Sequence, residues 1–251
     1  MRSIFLALLS ILVLFSAVQG ITIRVDGNFS DWRLNTSDFG ENYNNWDPEV
    51  PGVFVWQEDW VGGGGYVGPG YGGQKYDVEA ILATFDNDNL YVGIATGFPQ
   101  QGYGYNYWHD AGDIFLDIDG NGYWDYAFII SNYIDGRETR DLVLGSLYEV
   151  SSVKKSLRKE ADPWQLESGS LIGRGTLAYV DDPEHDFSRY FIEIGIPLDL
   201  LGNFSKVKIH WTMECGNDYG EVIAYTPEPA SILLLGAGLF AVGLMVKRRK
   251  S

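Results

Sequence analysis

The stretch Val207-Lys208-Ile209-His210-Trp211-Thr212-Met213-Glu214-Cys215 alternates without a break, with Val207, Ile209, Trp211, Met213 and Cys215 on one side and Lys208, His210, Thr212 and Glu214 on the other. A period of two sends successive side chains to opposite faces of a β-strand, so the first set is read as core and the second as the wet face of an antiparallel sheet. The single cysteine, Cys215, falls on the core side; it cannot form an internal disulfide and is read as a small buried hydrophobe.

Working outward, Tyr190 to Ile196 reads as another strand, ended by Pro197, and Leu198 to Leu201 as one helical turn before Gly202. Asp113 to Ile118 and Trp124 to Ile130 form a pair across Asp119-Gly120-Asn121-Gly122. Tyr76, Val78, Ala80, Leu82 and Thr84 are placed on one face of a strand, and Leu90, Val92 and Ile94 on one face of the next. Asp86-Asn87-Asp88-Asn89 joins those two, because Asn and Asp tolerate the left-handed backbone of a tight hairpin. About ten short strands punctuated by Gly, Asn and Asp predict an all-β fold, an antiparallel two-sheet β-sandwich with long Gly- and aromatic-rich loops, over residues 21–226.

The two ends read differently. Arg2 followed by the apolar run Ile4 to Phe15 and the small residues of Ser16 to Gly20 has the layout of a secretory signal peptide, residues 1–20, with cleavage expected after Gly20. A second apolar run, Ala230 to Val246, is closed by Lys247, Arg248, Arg249 and Lys250. As a transmembrane helix it reaches about 25 Å, slightly short of a bilayer core, and its basic end belongs on the cytoplasmic side.

Pro227-Glu228-Pro229 stands immediately before that run. Pro-Glu-Pro, one short Gly-containing helix and a terminal Arg/Lys cluster, residues 227–251, together resemble the PEP-CTERM sorting signal of Gram-negative bacteria. The resemblance implies an exosortase, a membrane-embedded transpeptidase-like enzyme, as processing partner, with Pro227, Glu228 and Pro229 as the motif it reads. It implies an exported protein, tethered to the inner membrane as an intermediate and then delivered to the cell envelope, the outer surface or the medium. The alternative reading is an ordinary single-pass anchor.

Between the ends, 13 basic residues face 33 acids, a net charge of −20 once the terminal segments are set aside. Such a surface repels nucleic acid and anionic lipid. Asp26-Gly27-Asn28-Phe29-Ser30-Asp31-Trp32, the Asp86 to Val92 hairpin and Asp113 to Asp119 resemble the family 9 carbohydrate-binding modules and their DOMON-like relatives over residues 21–130. That resemblance implies a β-sandwich which binds sugar, with calcium in some members. The Gly-rich segment from Trp56 to Gln74 departs from the pattern.

Two stretches concentrate rings: Tyr43, Trp46, Trp56, Trp60, Tyr66 and Tyr71, then Phe98, Tyr103, Tyr105, Tyr107 and Trp108. Flat rings stack on the apolar faces of pyranoses, so Trp56, Trp60, Tyr103, Tyr105 and Trp108 are the candidate carbohydrate ligands and an exopolysaccharide the candidate partner. The competing reading has the rings covering the ends of the sandwich, in a structural surface or biofilm-matrix protein without a specific glycan.

Asp117, Asp119, Asn121 and Asp125 place oxygen ligands at the first, third, fifth and ninth positions of a calcium loop, with Gly122 at the sixth. Phe128 stands where an EF-hand needs a bidentate Glu and the flanks are strands, so a solvated hairpin competes with calcium, the one candidate ion of a chain that needs no cofactor. The acids Asp181, Asp182, Glu184 and Asp186 around Pro183 read as a solvated loop. The three histidines form no H-E-x-x-H, and there is neither a G-x-S-x-G elbow nor a P-loop. A non-catalytic protein is expected; Glu58 and Asp59, between Trp56 and Trp60, are the acids a glycosidase would use. Asn28, Asn35 and Asn203 open glycosylation sequons and read as turn residues.

Overall fold

The computed structural model describes residues 21–35, 46–58, 60–62, 67–68, 70–104, 106–138, 140–182 and 189–226. The signal peptide, the membrane helix and Pro227-Glu228-Pro229 lie outside the described residues; among those described, no helix is long and apolar enough to cross a membrane.

Thirteen strands are described: β1 (Phe54–Gln57), β2 (Val78–Phe85), β3 (Asn89–Thr96), β4 (Ile114–Asp117), β5 (Tyr126–Phe128), β6 (Tyr133–Ile134), β7 (Arg137–Glu138), β8 (Ser146–Lys154), β9 (Gln165–Arg174), β10 (Thr176–Asp181), β11 (Tyr190–Pro197), β12 (Lys206–Thr212) and β13 (Tyr219–Tyr225). They form a five-stranded sheet in the order β1-β2-β3-β11-β10, a six-stranded sheet in the order β13-β12-β4-β5-β8-β9, and the ribbon β6-β7. Every pairing is antiparallel. One turn of helix, α1 (Leu198–Leu201), follows β11, as the sequence suggested.

The core between the sheets takes Ile81, Val92 and Ile194 from one sheet and Leu116, Ile209 and Trp211 from the other, all fully buried. The alternation of β12 therefore sets its inner face as expected, and Cys215, in the turn after β12, packs into this core. Burial pushes its thiol up to about 12, which leaves it unreactive at neutral pH.

Two expectations about strand faces are corrected. A register shift between Val78 and Ala80 turns β2 over, so Val78 faces the inner core with Ile81, Ala83 and Phe85, whereas Ala80 and Leu82 face outward. A bulge adds one residue to one strand and flips everything after it, which a hydrophobic run buried on both faces does not reveal. The supposed wet face of β12 is also covered: His210 and Thr212 are fully buried. His210 stacks 5.3 Å from Trp124 and 5.9 Å from Tyr219, with Nε2 3.0 Å from the Pro163 carbonyl.

Both outer faces carry a cover. The β8-β9 hairpin, bent by three register shifts, brings Tyr148 and Leu166 over Phe115, Ala127 and Ile129. There the fully buried Asp113 takes two bonds from Arg140, at 2.9 and 2.8 Å, and one from the Leu166 N–H at 2.8 Å.

On the other sheet, residues 21–35 and 46–53 pack Ile23, Phe29, Trp32, Leu34 and Trp46 onto Ala80, Leu82, Tyr91 and Ala95. Its attachment is Glu193 of β11, buried, whose carboxylate accepts from the N–H groups of Asp26 (2.9 Å) and Gly27 (2.6 Å) and from the Trp32 indole (2.7 Å). Gly27 sits at φ +81°, and a Cβ there would lie 2.4 Å from a Val180 methyl, so the turn requires glycine. Arg189 bonds Glu79 through Nε at 2.8 Å with both side chains fully buried, and Asp182 stands 3.9 Å away. That places Asp182 in a buried ion group and corrects its reading as a solvated loop; Glu184 and Asp186 lie outside the described residues.

Candidate ligand-binding sites

The turn from β4 to β5 is built by its own acids. Asp117 accepts from the N–H groups of Gly120 (2.6 Å) and Gly122 (3.1 Å), Asp119 from the Asn121 N–H (2.9 Å), and Asp125 from the Ile118 N–H (2.8 Å). Gly120 and Gly122 adopt φ +72° and +85°, which lets the chain fold back around the carboxylates. One oxygen from each of Asp117, Asp119 and Asp125 lies within 4.8 Å of the other two. Oxygens so spaced can share a cation held at about 2.3–2.6 Å from each, the calcium distance.

Asn121, the fourth residue of the expected set, is turned into the loop: its Oδ1 accepts from the Tyr123 N–H at 2.7 Å and its amide donates to Asp119 at 2.7 Å. Burial, with Asp119 and Asp117 nearby, raises the Asp125 carboxyl. The aliphatic end and ammonium of Lys206 come within 2.8 Å of where a Cβ on Gly120 would be, so a built-in cation already approaches this loop.

The rings expected to bind sugar separate into distinct environments. Trp56 lies against Gly220, where a Cβ would be 2.5 Å from its ring, and helps to line an open cleft of about 480 Å³ with Glu58, Val67, Gly68, Asp218, Tyr219 and Glu221. Trp60 is 50% exposed. Tyr103 is half-buried 5.7 Å from Tyr76, and the Lys75 ammonium lies 4.7 Å from its ring centre, so it serves the packing of the loop itself. Tyr105 and Asp59 lie outside the described residues. Tyr76 links the two groups, since its ring also meets Gly72 of the Gly-rich segment.

Trp108 is held from two directions. Paired bonds between Tyr103 and His109, at 2.9 and 3.0 Å, close the base of its loop. Its indole Nε1 and the buried Asp110 carboxylate both crowd Gly102, where a Cβ would be 2.5 and 3.1 Å from them, and its ring lies on Gly136, where a Cβ would be 2.8 Å away. Asp110 accepts from the Asp135 N–H at 3.0 Å, tying the β6-β7 turn to the same point; burial, the largest influence, raises its carboxyl. The ring remains 40% exposed and its neighbour Tyr107 80%. Sequence reasoning singled out Trp108 and missed Asp110, whose only sign was an acid beside an aromatic run.

No curated protein and no solved structure matches the chain, so the likeness of residues 21–130 to carbohydrate-binding modules rests on its motifs alone. Residues 226–250 match the family model of the PEP-CTERM protein-sorting motif. That motif implies an exported protein, tethered to the membrane before sorting, with an exosortase as its processing partner.

Proposed function

We propose that the exported domain is a binding module which holds polysaccharide on aromatic platforms at the end of the sandwich carrying Trp60 and Trp108. The observation that supports this reading best is the packed, half-open ring of Trp108: its edge lies against Gly102 and its back rests on Gly136, while 40% of the residue stays exposed. A ring ordered before the ligand arrives has little freedom left to lose on binding, and its open face suits the C–H face of a pyranose. The domain is proposed as a binder and not as a catalyst. Calcium, where present, is proposed to bind Asp117, Asp119 and Asp125 as a stabiliser of their hairpin, remote from these rings.

Each ring contributes on the order of 1 kcal/mol, about a fivefold change in affinity, so retention on a polymer comes from many weak sites. Pull-down of the mature protein on insoluble host matrix, at low and high sodium chloride, tests this. Trp108→Ala is expected to weaken retention severalfold and Trp60→Ala plus Trp108→Ala to remove most of it, with little dependence on salt. Parent-like retention of the double variant, or retention that collapses with salt, rejects the reading.

A further inference from the structure

Charge is spread unevenly between the two ends of β12. Four of the 13 basic residues that lie between the terminal segments, Lys154, Lys155, Arg158 and Lys159, are bunched at the end of β8 and just after it, followed by Glu160. This loop is fastened to the turn from β12 to β13. The Leu157 N–H donates to the Glu214 carbonyl at 3.1 Å, and a Cβ on Gly216 would lie 2.8 Å from Ser156 Oγ and 3.0 Å from the Arg158 Cβ. Arg158 leans on Tyr71, 5.6 Å from its ring centre. Lys155 and Lys159 are exposed, and Leu157 between them is 66% exposed. Two acids of the neighbourhood are engaged locally: Asp162 accepts from the Ser156 N–H at 2.7 Å, and Glu214 from the Asp110 N–H at 3.1 Å.

At the start of β12 the sign is reversed. Lys206 approaches Gly120 of the Asp117 loop, and Phe204 meets Phe85 with ring centres 6.1 Å apart, which brings the turn from β2 to β3 to the same end. The Leu198 N–H donates to the Asp88 carbonyl at 2.8 Å and adds α1 to the group. Asp88, Asp119 and Asp199 are exposed there, and Tyr123 is 78% exposed. Each end thus presents one bare apolar side chain among charges of one sign, Leu157 among lysines and Tyr123 among aspartates.

We infer that copies of this domain join end to end, the basic Leu157 loop of one copy docking on the acidic Tyr123 end of the next. The two surfaces differ, so the contact is heterologous; every pair keeps a free loop and a free acidic end, and the row can grow.

Net charge opposes this, because two strongly acidic domains repel. Range decides which effect wins. The seven residues of β12 span about 23 Å, more than twice the screening length of about 10 Å in 0.1 M salt. Charges remote from the contact are therefore screened, while opposite charges that touch are not. The row does not rest on polysaccharide binding, and its test reads none.

That test is sedimentation equilibrium of the mature protein, processed at both ends by its own host and kept in EDTA so that calcium does not occupy the hairpin. In about 0.1 M salt the average mass should rise past that of a dimer with concentration, and in about 1 M, where the screening length is about 3 Å, it should fall towards the monomer. Lys155→Glu plus Lys159→Glu should stay monomeric, as should Asp88→Lys plus Asp119→Lys. Mixed in equal amounts the two variants should associate again, because each end then meets its opposite.

All four positions are exposed, so parent-like melting temperatures are expected; if the aspartate variant melts early, Asp88→Lys plus Asp199→Lys replaces it. An assembly that stops at a dimer, a lysine variant that associates like the parent, or a mixture no larger than its components overturns the inference. So does a monomeric parent that binds dextran sulfate through Lys155 and Lys159, which would assign the loop to a polyanion.

Discussion

The two covers over the outer faces are attached in opposite ways. The cover formed by residues 21–35 and 46–53 hangs on Glu193, which is surrounded by three neutral donors. The β8-β9 cover is fastened at Asp113, which has a cation, Arg140, and one backbone N–H. Neutral donors share the work of solvating a carboxylate, so losing one leaves the others in place. A cation does most of it alone, and its loss strands a buried charge.

The largest expected effect follows from that asymmetry. Arg140→Ala should cost about 3–5 kcal/mol, read from the urea midpoint, because Asp113 stays buried without its partner. Adding Asp113→Asn should recover part of the loss. A cost under about 1 kcal/mol would erase the contrast.

Gly27→Ala should follow at roughly 2–3 kcal/mol, since the new methyl meets Val180 and φ +81° is strained for alanine. Trp32→Phe, which removes only the indole donor, should cost about 1–2 kcal/mol. If it costs as much as Arg140→Ala, the three donors are not interchangeable.

The pH dependence sharpens the comparison further. Burial is the largest influence on Glu193 and raises its carboxyl despite the three donors. Its folded state thus holds a proton more tightly than the unfolded chain, so its contribution is greatest at low pH and fades as pH rises from the ordinary 4.5 through the raised value. Glu193→Gln should flatten that part of the profile of urea midpoint against pH.

The smallest effect concerns acids with a third kind of partner. Millimolar calcium should raise the melting temperature by about 2–4 °C through Asp117, Asp119 and Asp125, and Asp119→Ala should abolish the rise. No shift leaves Lys206 and the loop's own N–H groups as sufficient company for these carboxylates.

What the sequence disclosed follows from how local each feature is. The inner face of β12, the turn at Asp86 to Asn89, the helical turn at Leu198 and the acid set of the Asp117 loop all depend on neighbours within a few residues, and all were legible. The bulge at Val78 and Ala80 was hidden because β2 is apolar on both faces. His210 and Thr212 looked wet because alternation tells which way a side chain points and not what later covers it. The Asp26 to Trp32 motif was visible, but its anchor is 161 residues away from Trp32, in Glu193. Of the expected carbohydrate rings, Tyr103 is spent on its own loop, whereas Trp108 owes its pose to Gly102 and Gly136, partners that no spacing rule announces.

The end of β13 carries a consequence for how the molecule stands. Thr226, the first residue of the sorting motif, still donates its N–H to the Ser205 carbonyl at 3.1 Å, so no slack separates the sandwich from the tail. Each further residue extends the chain by at most about 3.6 Å, which keeps the sandwich close to whatever grips Pro227-Glu228-Pro229. Lys206 and the Asp117 loop share that end, because Lys206 pairs with Tyr225 and approaches Gly120. Trp108, Asp110 and the turn from β12 to β13 occupy the opposite end, since Ala111 bridges to Met213 there. The acidic hairpin therefore lies at the end of the sandwich nearest the sorting motif, and the Trp108 loop at the end farthest from it.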